Sequence, residues 1–358
     1  MGPAKVEGAA VGGFCVLCFV FCDFNLELGT WNLKLIYAIA LCLPFGAAPA
    51  LAQELADENA RPAVIVVVGA EGTADFGRQF REWEARWQKA AEQGNAVYTT
   101  IGLEAAGEVP DRELLQKRLT ALAPTSTEPL WMVLIGHGTF DGKTARFNLR
   151  GPDVTPAEVA GWLAPIQRPL AIINCASSSA PFLAELSGPN RAIVSATRSG
   201  NEYNFARLGD YLSAAIADPK ADLDKDEQTS LLEAFLLASA RLDEFYKTEA
   251  RLATEHALID DNGDKLGTPP DFFQGLRAVK SAKAGASLDG LRAGQMHFVR
   301  SSREESLPPA VRARRDEIER DLASLRARKT ELAEEEYLKL LEPLLVELAH
   351  LYEKAERQ

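Results

Sequence analysis

The stretch "AVIVVVGAEG" (63–72) constrains this chain more than any other, because six apolar, mostly β-branched residues run together without one polar position before the glycines. A strand with one wet face alternates apolar and polar; an unbroken run implies that both faces are covered, the condition of a strand inside a parallel sheet. Four later stretches read as further strands: "NAVYTTIG" (95–102), "PLWMVLIGHG" (129–138), "PLAIINC" (169–175) and "RAIVSAT" (191–197). Helical patterns alternate with them. Phe76, Phe80, Trp83 and Trp87 recur at spacings of 4, 3 and 4, and "DRELLQKRLTALA" (111–123) opens after Pro110. Further helical patterns cover 205–217 and 230–250. Strands alternating with helices build βαβ units and a mostly parallel sheet. In such sheets ligands bind beyond the carboxyl ends of the strands.

Both ends of the chain depart from this pattern. "NLKLIYAIALCLPFGAAPALA" (32–52) has a basic residue, an apolar core and Ala50-Leu51-Ala52 before Gln53, the layout of a secretory signal. Upstream, "AVGGFCVLCFVFC" is a second apolar run whose Cys15, Cys18 and Cys22 lack the fourth partner a zinc site needs. Residues 1–52 therefore read as a leader, cleaved or anchoring, and the protein as exported, periplasmic or extracellular. Removing the leader leaves Cys175 as the single cysteine of five, so no internal disulfide is expected. Beyond "SLPPA" (306–310), Val311, Ile318, Leu322, Leu325 and Leu332, then Leu338, Leu341, Leu345, Leu348 and Tyr352, mark an amphipathic helical hairpin with a kink expected at Pro343. The hairpin either packs on the domain or serves self-association or a partner. The expected organisation is leader 1–52, α/β domain 53–285, linker 286–305 and hairpin 306–358. A net charge of −12 argues against nucleic acid and against docking on anionic lipid, leaving membrane attachment to the leader alone.

Two of the strands end on reactive side chains, the third on His137 and the fourth on Cys175. A cysteine nucleophile needs an imidazole to stabilise its thiolate and to protonate the leaving amine. Neighbouring strands would deliver both at one edge of the sheet. Glycines flank His137, which would let a substrate carbonyl approach, and the Gly138 N–H is a candidate oxyanion donor. Ser177, Ser178 and Ser179 lie outside any G-x-S-x-G elbow, and His256 is the one rival base.

Strand-His-Gly, strand-x-Cys-x-Ser and then "RAIVSATRSGNEYNFARLGDYLSAAI" together resemble the legumain family of cysteine peptidases, part of the wider caspase-like group with gingipains and separase. The resemblance spans roughly residues 62–250. Ser195-Ala196-Thr197 stands where legumains carry "ATTA", Asn201-Glu202-Tyr203 matches a Glu/Ser/Tyr segment, and Leu208-Gly209-Asp210 matches an "LGD" before a helix. The resemblance implies a caspase-like three-layer α/β sandwich with a mostly parallel central sheet, here extended by the C-terminal α-helical hairpin. It implies Cys175 as nucleophile, His137 as partner, and an oxyanion hole from the N–H groups of Gly138 and Cys175. Ser195, Ala196, Thr197 and Glu202 would line the substrate pocket. The implied activity is endopeptidase or transpeptidase chemistry on a polypeptide, with no cofactor required. Departures are Glu71 in the first glycine turn, where legumains carry Asn, Ile173-Asn174 in place of Glu-Ala before the cysteine, and no counterpart of the disulfide-bearing prodomain of animal legumains. They remove the ground for Asn/Asp specificity and leave a catalytically degenerate binding module as the competing class.

Two acidic stretches resemble calcium loops. "DLDKDEQTSLLE" (222–233) sets Asp222, Asp224, Asp226 and Gln228 at positions 1, 3, 5 and 7 and Glu233 at 12, with Glu227 at the sixth position that usually needs glycine. "DDNGDKLGTPPD" (260–271) sets Asp260, Asn262 and Asp264 at 1, 3 and 5 and Asp271 at 12, again without glycine at 6. Either a structural calcium ion or a solvated acidic loop satisfies these patterns.

Overall fold

β1 (Ala63–Val68) is buried along its whole length, and so are β3 (Leu130–Ile135) and β6 (Leu170–Asn174). The structure, a computed structural model, describes residues 60–122, 124–283 and 286–356. The leader read into residues 1–52 lies outside the described residues. Among those described, no helix is long and apolar enough to cross a membrane.

β2 (Val97–Ile101), β7 (Arg191–Ser195) and β8 (Leu258–Asp260) complete a six-stranded sheet in the order β2-β1-β3-β6-β7-β8. Five strands run parallel and β8 returns antiparallel to β7. Alternate residues feed two cores. Val64, Val66, Val68, Trp131, Val133 and Ile135 face one of them. Its cover is α1 (Ala74–Gln93), α5 (Leu208–Ala215) and α6 (Leu231–Thr248). Ile65, Val67, Met132 and Leu134 face the other, under α2 (Asp111–Ala121), α3 (Pro156–Leu163) and α4 (Ala180–Leu186). The three-layer α/β sandwich with a mostly parallel central sheet expected from the sequence is the architecture observed.

Local chemistry sets the helix boundaries. The Thr73 hydroxyl accepts from the Phe76 N–H at 3.4 Å at the start of α1, and Gly94 ends that helix. Reciprocal capping boxes open α3 (Thr155 with Glu158) and α6 (Ser230 with Glu233). Beyond His137, a hairpin of β4 (Gly138–Phe140) and β5 (Ala145–Phe147) folds over the edge of the sheet.

The segment 286–305 is not the linker expected. It holds two short helices, α7 (Leu291–Gly294) and α8 (Ser302–Ser306), and its Ala293, Met296 and Phe298 are buried in the first core. The Phe298 ring meets those of Trp87 at 5.3 Å and Trp131 at 4.9 Å, so apolar burial holds the segment down. The terminal hairpin pairs α9 (Pro309–Ala327) with α10 (Glu334–Glu356), and α10 continues as helix through Pro343. Ile318, Leu322 and Leu325 are buried, whereas Leu338, Leu345 and Tyr352 remain exposed.

Candidate active site

β3 and β6 are neighbours, with Leu134 opposite Asn174. Cys175 follows one residue later, its N–H donating to the Leu134 carbonyl at 2.9 Å. His137 lies three residues beyond Leu134. Ile135 and Cys175 share the first core, and the His137 ring packs on Phe80 of that same core. The two reactive side chains thus lie at one edge and on one face of the sheet, beneath α1 and α5.

Aromatic rings surround the imidazole. Phe76 meets it edge-on at 4.8 Å, Phe80 at 5.3 Å, and Phe205, just before α5, at 5.9 Å. Nε2 lies 3.4 Å from the Glu71 carbonyl, in the glycine turn after β1. Burial holds the imidazole below its usual pKa, opposed by that carbonyl, so it is neutral at pH 7.

Cys175 is 1% exposed and is the free thiol among the described residues. A Cβ placed on Gly209 would approach the Cys175 Cβ to 2.9 Å and the Trp83 ring to 2.7 Å, so the start of α5 closes directly over the cysteine. Burial pushes the thiol up to about 12, and the Glu255 carboxylate adds to the shift. Glu255 is itself 3% exposed. It accepts from the N–H groups of Arg207 (2.8 Å) and Leu208 (3.1 Å) and from the Tyr246 hydroxyl (2.9 Å), which caps the positive end of α5 with a carboxylate. Sequence reasoning missed Glu255, because an acidic residue between a helical and an apolar stretch carries no sign of burial. In this state the pair is a neutral thiol and a neutral imidazole.

Several expected roles are filled differently. Both N–H groups proposed for the oxyanion hole are engaged: that of Cys175 in the sheet, and that of Gly138 with the Ser177 hydroxyl at 3.2 Å. The glycines around His137 serve close packing rather than an open approach. A Cβ on Gly138 would meet the Ser177 carbonyl at 2.1 Å, and one on Gly136 the Phe147 ring at 3.1 Å. Ser195, Ala196 and Thr197, expected to line a substrate pocket, are fully buried. The Ser195 hydroxyl donates to the Thr197 carbonyl at 2.9 Å, and the Thr197 hydroxyl accepts from the N–H groups of Ser179 (2.8 Å) and Ala180 (3.2 Å), which fastens the turn after Cys175. Glu202 bonds Nδ1 of His256 at 2.6 Å and pairs with Arg198 at 3.1 Å. Ser177, Ser178 and Ser179 are all buried, Ser178 with a left-handed φ of 55°.

Beside His137, past the ends of β1 and β2, lies a cavity of about 390 Å³. Glu71, Gly72, Gly77, Phe80, Arg81 and Arg150 are in its wall. The Arg150 guanidinium is held by Asp111 at 2.8 Å, while Arg81 and Glu71 stand 3.6 Å apart. Of the acidic loops, Asp222, Asp224 and Asp226 bring carboxylate oxygens within 4.8 Å of one another. Glu233, expected as the twelfth ligand, is committed to the start of α6, with one oxygen on Ser230 and the other on the Leu223 N–H at 2.7 Å. Glu227, at the position that usually takes glycine, adopts φ 70°.

The fold and site define an α/β protein with a mostly parallel sheet that carries a cysteine and a histidine on adjacent strand ends. No family model matches the chain, and no curated protein matches it. Among solved structures, a crystal structure of the Drosophila initiator caspase Dronc is similar at 13% sequence identity and a TM-score of 0.37, over 57% of this chain and 80% of that one. A likeness of that size assigns no residue its role.

Proposed function

We propose that this chain is a cysteine-type peptidase, exported on the strength of its leader pattern, with Cys175 as nucleophile and His137 as its acid–base partner. The observation that carries this reading is the emergence of both side chains at the same sheet edge and face from neighbouring parallel strands. In the reaction, the Cys175 thiolate adds to the scissile carbonyl carbon. The His137 imidazolium gives its proton to the amine nitrogen as the carbon–nitrogen bond breaks. Water, deprotonated by His137, then attacks the thioester and releases the thiolate. A transpeptidase would use the same pair with an amine in place of water. The start of α5 has to withdraw from Cys175 before a peptide can reach it.

One observation favours a second reading, a catalytically degenerate binding module: the thiol is 1% exposed and has a carboxylate, not a cation, as its charged neighbour. Peptide acyloxymethyl-ketone probes separate the two. A peptidase gives an adduct on Cys175 that disappears in His137→Ala. A chain that takes no label from a broad probe panel, before or after limited proteolysis, is not a peptidase.

A further inference from the structure

We infer that the loop 260–266, at the end of β8 opposite the Cys175 edge, is a binding site for a hard divalent cation of the calcium class. β8 runs antiparallel to its neighbour, so Asp260 emerges at the far end of the sheet. The loop is closed behind it by paired hydrogen bonds between Ile259 and Thr268, at 3.0 and 2.8 Å. Inside, Gly263 (φ 82°) and Lys265 (φ 69°) are both left-handed.

Side-chain oxygens at alternate positions accept from backbone two or three residues on. Asp260 Oδ1 takes the Gly263 N–H at 3.0 Å, Asn262 Oδ1 the Asp264 N–H at 2.8 Å, and Asp264 Oδ1 the Leu266 N–H at 2.8 Å. That leaves the second oxygen of each carboxylate. Asp260 Oδ2 and Asp264 Oδ2 are buried and have no hydrogen-bond partner, although Asp260 is only 1% exposed. A buried carboxylate oxygen without a proton donor is costly unless a cation faces it. No ion pair reaches either group among the described residues. Two more buried carboxylates stand behind the loop: Asp261, spent on the N–H groups of Gly290 (2.8 Å) and Ala293 (2.7 Å), and Asp289, spent on those of Asp261 and Asn262.

The donor set is all oxygen: Asp260 Oδ2, Asp264 Oδ2 and Asn262 Oδ1, with the Ser187 hydroxyl alongside. That chemistry suits calcium, which takes about six to eight oxygens and accepts waters for the remainder. Asp271, expected as a twelfth-position ligand, lies exposed beyond the Ile259–Thr268 closure and is not in the set. The Asn262 amide is oriented by its bond to the Ser287 carbonyl at 2.9 Å, and Ser187 receives the Lys265 N–H at 3.1 Å. A bound ion would therefore tie β8, the turn after α4 and the segment before α7 together. Its role is structural, and it stands whether or not Cys175 is catalytic.

The test is calorimetric titration of the full chain with calcium after chelator treatment, together with thermal melts at about 1 mM calcium, a level at which extracellular modules are loaded. Wild type is expected to bind and to melt higher with calcium. Asp264→Asn and Asn262→Ala, both at partly exposed positions, should keep the circular dichroism spectrum and weaken that binding about tenfold or more. Asp224→Asn, in the other acidic loop, should leave it intact. The inference is overturned by a wild type that takes up no calcium. It is equally overturned by binding that survives Asp264→Asn and Asn262→Ala unchanged and is lost in Asp224→Asn.

Discussion

At the scale of single residues, Cys175 records its burial as a dependence of stability on pH. Its thiol is pushed up to about 12 in the fold. An unfolded cysteine ionises near pH ~8.5, so above that value the unfolded chain sheds a proton that the folded chain keeps. The contribution is therefore complete below pH ~8.5 and is lost as pH rises toward the folded value. Wild type should lose urea resistance between pH 8 and 10 faster than Cys175→Ala, which has no proton to lose. Parallel curves for the two would mean that the thiol is not held neutral. Iodoacetamide tests the same property kinetically: while α5 covers the thiol, its reaction with Cys175 should keep accelerating through pH ~10, whereas the imidazolium-paired thiolate of an opened, active form would already have levelled off.

At the scale of elements, the long strands and the helices α1, α2, α5 and α6 that cover them were legible, whereas the shortest elements and the contacts between elements were not. β1, β3 and β6 announce themselves because residues buried on both faces cannot alternate. β8 has three residues, too few for any periodicity to show, and α4 follows a run of three serines that reads as loop. The order of residues along β6 predicted that Cys175 would reach the sheet edge. It did not reveal that Gly209, distant in sequence, would bring α5 down over the thiol, since that closure depends on a missing side chain. In the same way, Thr197 was expected to line a pocket, whereas its hydroxyl fastens the turn after Cys175. α3 starts at Thr155-Pro156 with Glu158 three residues on, and its capping box is formed in both directions. Thr155→Ala should cost about 1 kcal/mol of unfolding free energy, the usual loss for such a cap. An unchanged denaturant midpoint would show that Glu158 and Pro156 start the helix without it.

At the scale of the whole molecule, one buried carboxylate ties the C-terminal hairpin to the sheet. Glu128, 3% exposed just before β3, holds the guanidinium of Arg300 with one oxygen and that of Arg312, on α9, with the other, each at 2.7 Å. Beneath it the fully buried Arg168 donates to the Glu128 backbone carbonyl at 2.7 Å. Burial lowers the Arg312 pKa, and the neighbouring Arg300 charge adds to that, so each cation depends on the shared carboxylate. Removing one partner of a buried ion pair leaves charge without compensation, a loss of about 3–5 kcal/mol. Glu128→Ala should therefore lower the melting temperature and expose the 300–308 connection to limited proteolysis, releasing a hairpin-sized fragment. The sheet core does not depend on Glu128, so the remaining domain should keep its near-ultraviolet circular dichroism. A variant that resists protease like wild type would show that Ile318, Leu322 and Leu325 hold the hairpin by apolar burial alone.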